Sequence, residues 1–352
     1  MSVTYASNAV LSKVRAMYGF RLTDKNYLDL LACSSVTEVA SYLKNRTRYK
    51  DVLSTLSEKN VHRGQLEYLL RKKLFNDFES IGRYEISVGE EFFNYVISRM
   101  EIEEIMHFLI LFISSKPEDY IYSFPVFFSK HTNIDIKSFN KVKTYEDFLS
   151  TLEKSEYFDI LSKFNPNSKR KDEESDKLDI AIIESALFTN LYKKVFAIIK
   201  NKTNGSARSE LSQMFDTFID FSNITKIYRL KKYYNADDKY IYKCLIHLGT
   251  FSKKTIQNMV HAESAEQIID MMKQTSVYKK YENKLKCNHI GEVPYSIEFE
   301  KCRHYIRFSV NPSVVMMAYI FLMENEISNI VNIIEGVRYE LPSDDIKDML
   351  II

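Results

Sequence analysis

The stretch FLMENEISNIVNIIEGVRYELPSDDIKDML, residues 321–350, decides how this chain is read. Its apolar residues recur at helical spacing. Upstream, Asn311 before Pro312 is a start signal, a capping residue followed by proline in the first turn. Gly336 is a stop signal. The interval predicts one helix of about 25 residues, roughly 37 Å long. Ser343 before the acid-rich DDIKDML predicts a second, short helix. Inside the apolar run stand Glu326 and Asn329. Burying a carboxylate or a carboxamide is costly unless each finds hydrogen-bond partners. The pair therefore fixes the register of its helix against neighbouring backbone, faces solvent, or lines a shared polar cavity.

The same pair recurs. MEIEEIMHFLILF (100–112), IDFSNITKIYRL (219–230) and NEISNIVNIIEG (325–336) share the pattern acid-x-x-polar-Ile. The acids are Glu101, Asp220 and Glu326; the polar partners are Glu104, Asn223 and Asn329. Two other elements recur in the same order. VTEVASYLKNRTRYKDVL (36–53), YEDFLSTLEKSEYFDIL (145–161) and AEQIIDMMKQTSVYKKYE (265–282) each read as a short amphipathic helix followed by an aromatic anchor: Tyr49, Tyr157 and Tyr278. Between these and the acid helices, Glu67, Glu184 and Glu300 each precede an aromatic residue by eight positions, on one helical face. The spacing predicts three units of about 110 residues, longer than the common helical solenoid repeats. The expected boundaries are 1–133, 134–250 and 251–352.

Composition agrees with helices. Only 8 Gly and 6 Pro punctuate 352 residues, too few for the turns of an all-β protein. The net charge of +2 gives no drive toward nucleic acid or an anionic surface. RLKKYY (229–234) alternates basic and aromatic residues, but without a wider basic patch it reads as a solvated helix end. The run SKRKDEESDK (168–177) reads as a solvated loop. No signal peptide is expected from the N-terminal residues. The most apolar window, PSVVMMAYIFLM (312–323), falls short of the ~20 residues a membrane span needs. No phosphate loop, dinucleotide fingerprint or hydrolase elbow occurs, so no catalytic residue and no cofactor are expected. Two Cys-x-His pairs, Cys287 with His289 and Cys302 with His304, carry the ligand types of a zinc site. One intervening residue is an unusual spacing, and Cys302 falls on a core position, so no metal is expected.

The closing NEISNIVNIIEGVRYELPSDDIKDML, the earlier DFSNITKIYRLKKY and the opening YASNAVLSKVRAM resemble the C subunits of the V/A-type rotary ATPases (ATP synthases), the counterparts of the eukaryotic V-ATPase d subunit. Glu326, Asn329, Ile330, Ile333, Gly336, Leu341 and Pro342 match the family's closing pattern. Glu335 stands where the family often has Arg, with Arg338 two residues after the glycine. The resemblance spans Tyr5 to the last residue. It implies an all-α funnel of three similar units around a pseudo-threefold axis. It implies a non-catalytic central-stalk socket on the cytoplasmic face of the membrane. The implied partners are the D and F proteins of the central shaft and the membrane rotor (proteolipid) ring, and the implied role couples ATP turnover to H+ or Na+ transport. Partner contacts are expected near the loops after the acid–Asn helices, at Arg229, Lys231, Lys232, Gly336 and Arg338. The alternatives are a generic helical scaffold and a zinc-binding helical protein.

Overall fold

The computed structural model describes residues 3–56, 61–84, 88–122, 127, 129–166, 178–285 and 290–352. Every regular element among them is a helix. After α1 (Val3–Gly19) come two short helices, α2 (Asp24–Leu31) and α3 (Val36–Arg46), then a long hairpin of α4 (Arg63–Gly82) and α5 (Gly89–Ile113). A stretch with two 3-10 turns, Pro117–Tyr122 and Ile136–Lys141, leads to α6 (Tyr145–Thr151) and α7 (Phe158–Leu161). A second hairpin follows, α8 (Ile180–Lys202) and α9 (Gly205–Tyr234), then α10 (Asp238–Lys243). The last third holds α11 (Lys253–Val260), α12 (Ala265–Gln274), α13 (Ser276–Tyr281), a third hairpin of α14 (Val293–Phe308) and α15 (Pro312–Arg338), and α16 (Ser343–Asp348).

Short helices are marginal on their own, so their ends matter. Thr23 caps α2 and Thr144 caps α6 in reciprocal capping boxes with Asn26 and Asp147. Ser35, Ser252 and Ser264 cap α3, α11 and α12 by accepting a first-turn N–H. Asn311 occupies the cap position of α15, but its side chain makes no capping bond. It reaches across to Glu210 Oε2 at 3.1 Å, and Pro312 alone marks the start.

The expected stop at Gly336 is not where α15 ends. The helix runs on to Arg338 and is broken by Glu340, at φ 55°. A Cβ on Gly336 would overlap the Ile346 side chain, so the glycine is there to seat α16 against α15. Among the described residues, the non-glycine residues with left-handed backbone are Ser115, Asn235 and Glu340. They terminate α5, α9 and α15. Lys116 N–H donates to Leu111 O at 2.9 Å, Ala236 N–H to Leu230 O at 3.2 Å and Leu341 N–H to Gly336 O at 2.9 Å. These bonds satisfy carbonyls that the last helical turn leaves open.

The apolar residues form three clusters. The largest joins α1, α5, α6, α8 and the first halves of α9 and α15. A second joins residues 22–70 to Ile327–Val337 of α15 and to Ile346 and Leu350. The third joins Phe221–Tyr228 of α9 to residues 241–297. α9 thus leaves the large cluster after Ile219 and enters another at Phe221. α15 leaves it after Met323 and enters another at Ile327. Asp220 and Glu326 sit at these crossings. α15 is long and apolar enough to cross a membrane, but 72% of its most apolar window is buried inside this protein.

Candidate functional site

The three acids all lie on long helices and all are buried. Each clasps a distant piece of chain. Glu101 Oε1 accepts from the Thr132 hydroxyl at 2.7 Å and from Asn133 N–H at 3.1 Å. Its Oε2 accepts from the Tyr157 hydroxyl at 2.7 Å. Asp220 accepts from Thr250 N–H at 3.0 Å, from the Thr250 hydroxyl and from Phe251 N–H at 3.3 Å. Glu326 accepts from Leu22 N–H at 2.7 Å and from the Tyr49 hydroxyl at 2.7 Å. In each case the held backbone lies one or two residues before the start of a short helical element: the caps Thr23 and Ser252, or Asp135, which precedes a 3-10 turn without a capping bond. Gly249, at φ 98°, makes the Asp220 clasp possible, because any Cβ there would collide with the carboxylate.

The polar partners act one helical turn further on. Asn223 Nδ2 donates to Ile246 O at 2.8 Å, and its Oδ1 accepts from Ile246 N–H at 3.0 Å. Asn329 does the same to Ile351, at 2.8 and 3.0 Å. Glu104, which stands in place of an Asn, accepts from the Tyr120 hydroxyl at 2.6 Å instead.

Burial pushes the Glu326 carboxyl up, and the Leu22 N–H, the Tyr49 hydroxyl, Arg48 and Arg21 pull it back. Asp220 is likewise raised by burial against the donors of Thr250 and Phe251. Glu104 is pushed up to about 7 by burial, with the Tyr120 hydroxyl opposing. A carboxylate whose oxygens are turned onto backbone N–H groups and buried hydroxyls acts as a structural fastener. Such groups fix the register of packed elements.

The remaining expected residues lie at helix ends. Arg229 is exposed. Lys231 pairs with Asp238 at 3.0 Å, and Lys232 donates to the Tyr228 hydroxyl at 2.7 Å. Arg338 is exposed and stacks over Tyr339, while Gly336 is buried beneath Ile346. Cys302 is fully buried and His304 is exposed, as residues two apart on a helix must diverge. Cys287 and His289 lie outside the described residues, as does the run 168–177. Among the described residues no group of three or more His, Cys, Asp or Glu side chains gathers around a common point.

Sequence reasoning missed a second polar group, in the large core. Lys301 Nζ donates to Gln213 O and to Thr217 Oγ1, each at 2.6 Å, tying α14 to α9. Arg99 of α5 meets Glu324 of α15 at 2.8 Å. Burial raises Glu298 and lowers Lys301, so the buried carboxyl favours its neutral form. Single charged residues on long amphipathic helices look like ordinary surface positions, and only their lack of recurrence sets them apart.

Residues 10–349 match the family described as ATP synthase (C/AC39) subunit. The chain is 24% identical over 358 residues to the C subunit of the A-type ATP synthase of Methanosarcina acetivorans, covering 97% of this chain and 92% of that protein. It is 21% identical over 346 residues to the protein of that name from Pyrococcus abyssi, covering 96% and 88%. With the protein of that name from Thermococcus kodakarensis it shares 20% over 345 residues, again covering 96% and 88%. An all-helical chain matched over nearly its whole length belongs to the ATP synthase (C/AC39) subunit family.

Proposed function

We propose that this chain is the non-catalytic central-stalk socket of a V/A-type rotary ATPase. It stands on the cytoplasmic face of the membrane between the rotating shaft, made of the D and F proteins, and the rotor ring. It carries torque, and so couples ATP hydrolysis or synthesis to H+ or Na+ movement. The observation that carries this reading is the family match over residues 10–349. The build supports it. Long helices packed in dense cores deform little, and each long hairpin is fastened to a neighbouring lobe by a buried acid.

The proposal includes three units, residues 1–133, 134–250 and 251–352, set around a pseudo-threefold axis as a funnel. Its support is the recurrence of three features: an acid clasp ahead of a short helical element, an Asn or Glu one turn on, and a left-handed stop 11 or 12 residues later. Partner contacts are assigned to the helix ends bearing Arg229, Lys231, Lys232 and Arg338, with Gly336 acting from within by seating α16. Capture on an immobilised D–F complex and on the detergent-solubilised ring is the test. Binding to neither overturns the socket reading and leaves a helical scaffold of another assembly. Within a bound complex, Arg229→Glu with Arg338→Glu is expected to weaken capture about tenfold, the effect of reversing interface charges. Unchanged capture would move the contact surface elsewhere.

A further inference from the structure

The clasps differ in one respect. Asn223 holds Ile246, and Asp220 holds Thr250 and Phe251, so the two held points are joined by three residues, His247–Gly249. Asn329 holds Ile351 with the same two bonds, and Glu326 holds Leu22. Here the held points are 351 − 22 = 329 residues apart in sequence. Yet Leu22 and Ile351 line one cleft of about 360 Å³, together with Tyr27 and Glu326. The third clasp therefore fastens together two segments that are remote in sequence.

α1 has no counterpart ahead of the other two clasped lobes, where the chain arrives from α5 or α9. It is stitched on both sides of the gap. Lys13 Nζ donates to Ser80 O at 3.1 Å and Ser80 Oγ at 2.7 Å, on α4. Arg15 Nε donates to Ile306 O at 2.9 Å and Nη2 to Ser309 O at 2.7 Å, at the end of α14. A guanidinium on the last carbonyls of a helix also meets the negative end of its dipole. Val10, Val14 and Tyr18 bury the inner face of α1 in the large cluster.

We propose that the molecule is a ring with one seam, between Leu22 and Ile351, and that α1 is the strap that holds the seam shut. When the molecule opens, it opens there. Residues 22–56 swing away from α15 and α16 while the Glu101 and Asp220 clasps stay closed. The reason is tethering. Release at Glu101 or Asp220 leaves the held segment within about 30 residues of its seat, at high effective concentration. Release at Glu326 leaves α1 as the short covalent tether of Leu22 to α15, beside the Arg48–Tyr319 and Ser343–Leu31 bonds and the shared apolar cluster. This inference rests on the three-unit reading, and not on the socket role.

Amide hydrogen exchange on the full chain tests it. With Lys13→Ala and Arg15→Ala together, peptides covering residues 22–31 and 342–352 are expected to exchange about tenfold faster or more. Peptides covering 132–136 and 250–253 are expected to hold their rates. Acceleration at all three clasps alike, or at none, overturns the seam. Should the double variant fail to fold, exchange of the unaltered chain in rising urea replaces it. The seam amides then open at lower urea than the other two sets, and a single shared opening overturns the proposal. Absence of protection at all three clasps would instead sink the three-unit reading itself.

Discussion

Asn223 and Asn329 each use a carboxamide in full, donating to and accepting from one backbone residue. Replacing the Nδ2 donor by a carboxylate oxygen sets that oxygen against a carbonyl. Asn223→Asp and Asn329→Asp are each expected to cost about 3 kcal/mol, the penalty of an unsatisfied buried pair with an added charge. Urea unfolding measures it, and a loss under about 0.5 kcal/mol would show that water replaces the bond. Gly249→Ala combines a positive φ with a collision against Asp220. It is expected to destabilise more than Gly205→Ala, where φ is 51° and nothing lies near the added methyl. Equal losses would mean that backbone strain alone matters at Gly249. Glu104 carries a pH signature. Its carboxyl titrates near 7 in the folded chain and near ~4.3 when unfolded. The folded state binds the extra proton between these values. This contribution to stability is therefore full below about 4.3 and fades as pH rises through about 7. Glu104→Gln should flatten the fall in melting temperature between pH 5 and 8, and an unchanged slope would exclude Glu104 as its source.

At the scale of the helix, periodicity and punctuation made most of the elements legible. The short helices at 36–46, 145–151 and 265–274 follow from their helical apolar spacing, and the structure adds the Ser35, Thr144 and Ser264 caps. The long acid helices follow from their apolar runs. What the sequence concealed was the job of individual polar residues. A glycine near a helix end and a glycine that admits a neighbouring side chain look alike in one dimension, and Gly336 is the second kind. Gly336→Ala is accordingly expected to unseat α16, exposing Ile346 and speeding exchange across 343–350. An undisturbed α16 would show that Ile346 can shift aside. The acid pairs stood out because they recur, yet the backbone atoms they hold lie 22 to 304 residues away. No local pattern encodes a hydrogen bond of that reach. Lys301 and Arg99 escaped notice because nothing in their own turns marks the first as buried or the second as half-buried.

At the scale of the molecule, the second apolar cluster has an awkward composition. Leu22, Leu30, Leu31, Leu43, Leu53, Leu66 and Leu70 come from the first fifth of the chain, and their cover, Ile327–Val337 with Ile346 and Leu350, comes from the last. A ribosome adding about 5–20 residues per second must therefore expose this leucine-rich surface for on the order of 15–60 s before its cover emerges. Contacts of such long sequence separation also form late in refolding. A chain cut after Phe321 should keep helical content and aggregate at micromolar concentration. A soluble, monomeric product of that length would mean that residues 22–70 find another partner. The same bond that closes the ring thus sets a timetable for synthesis, in which the first lobe to be made is the last to be finished.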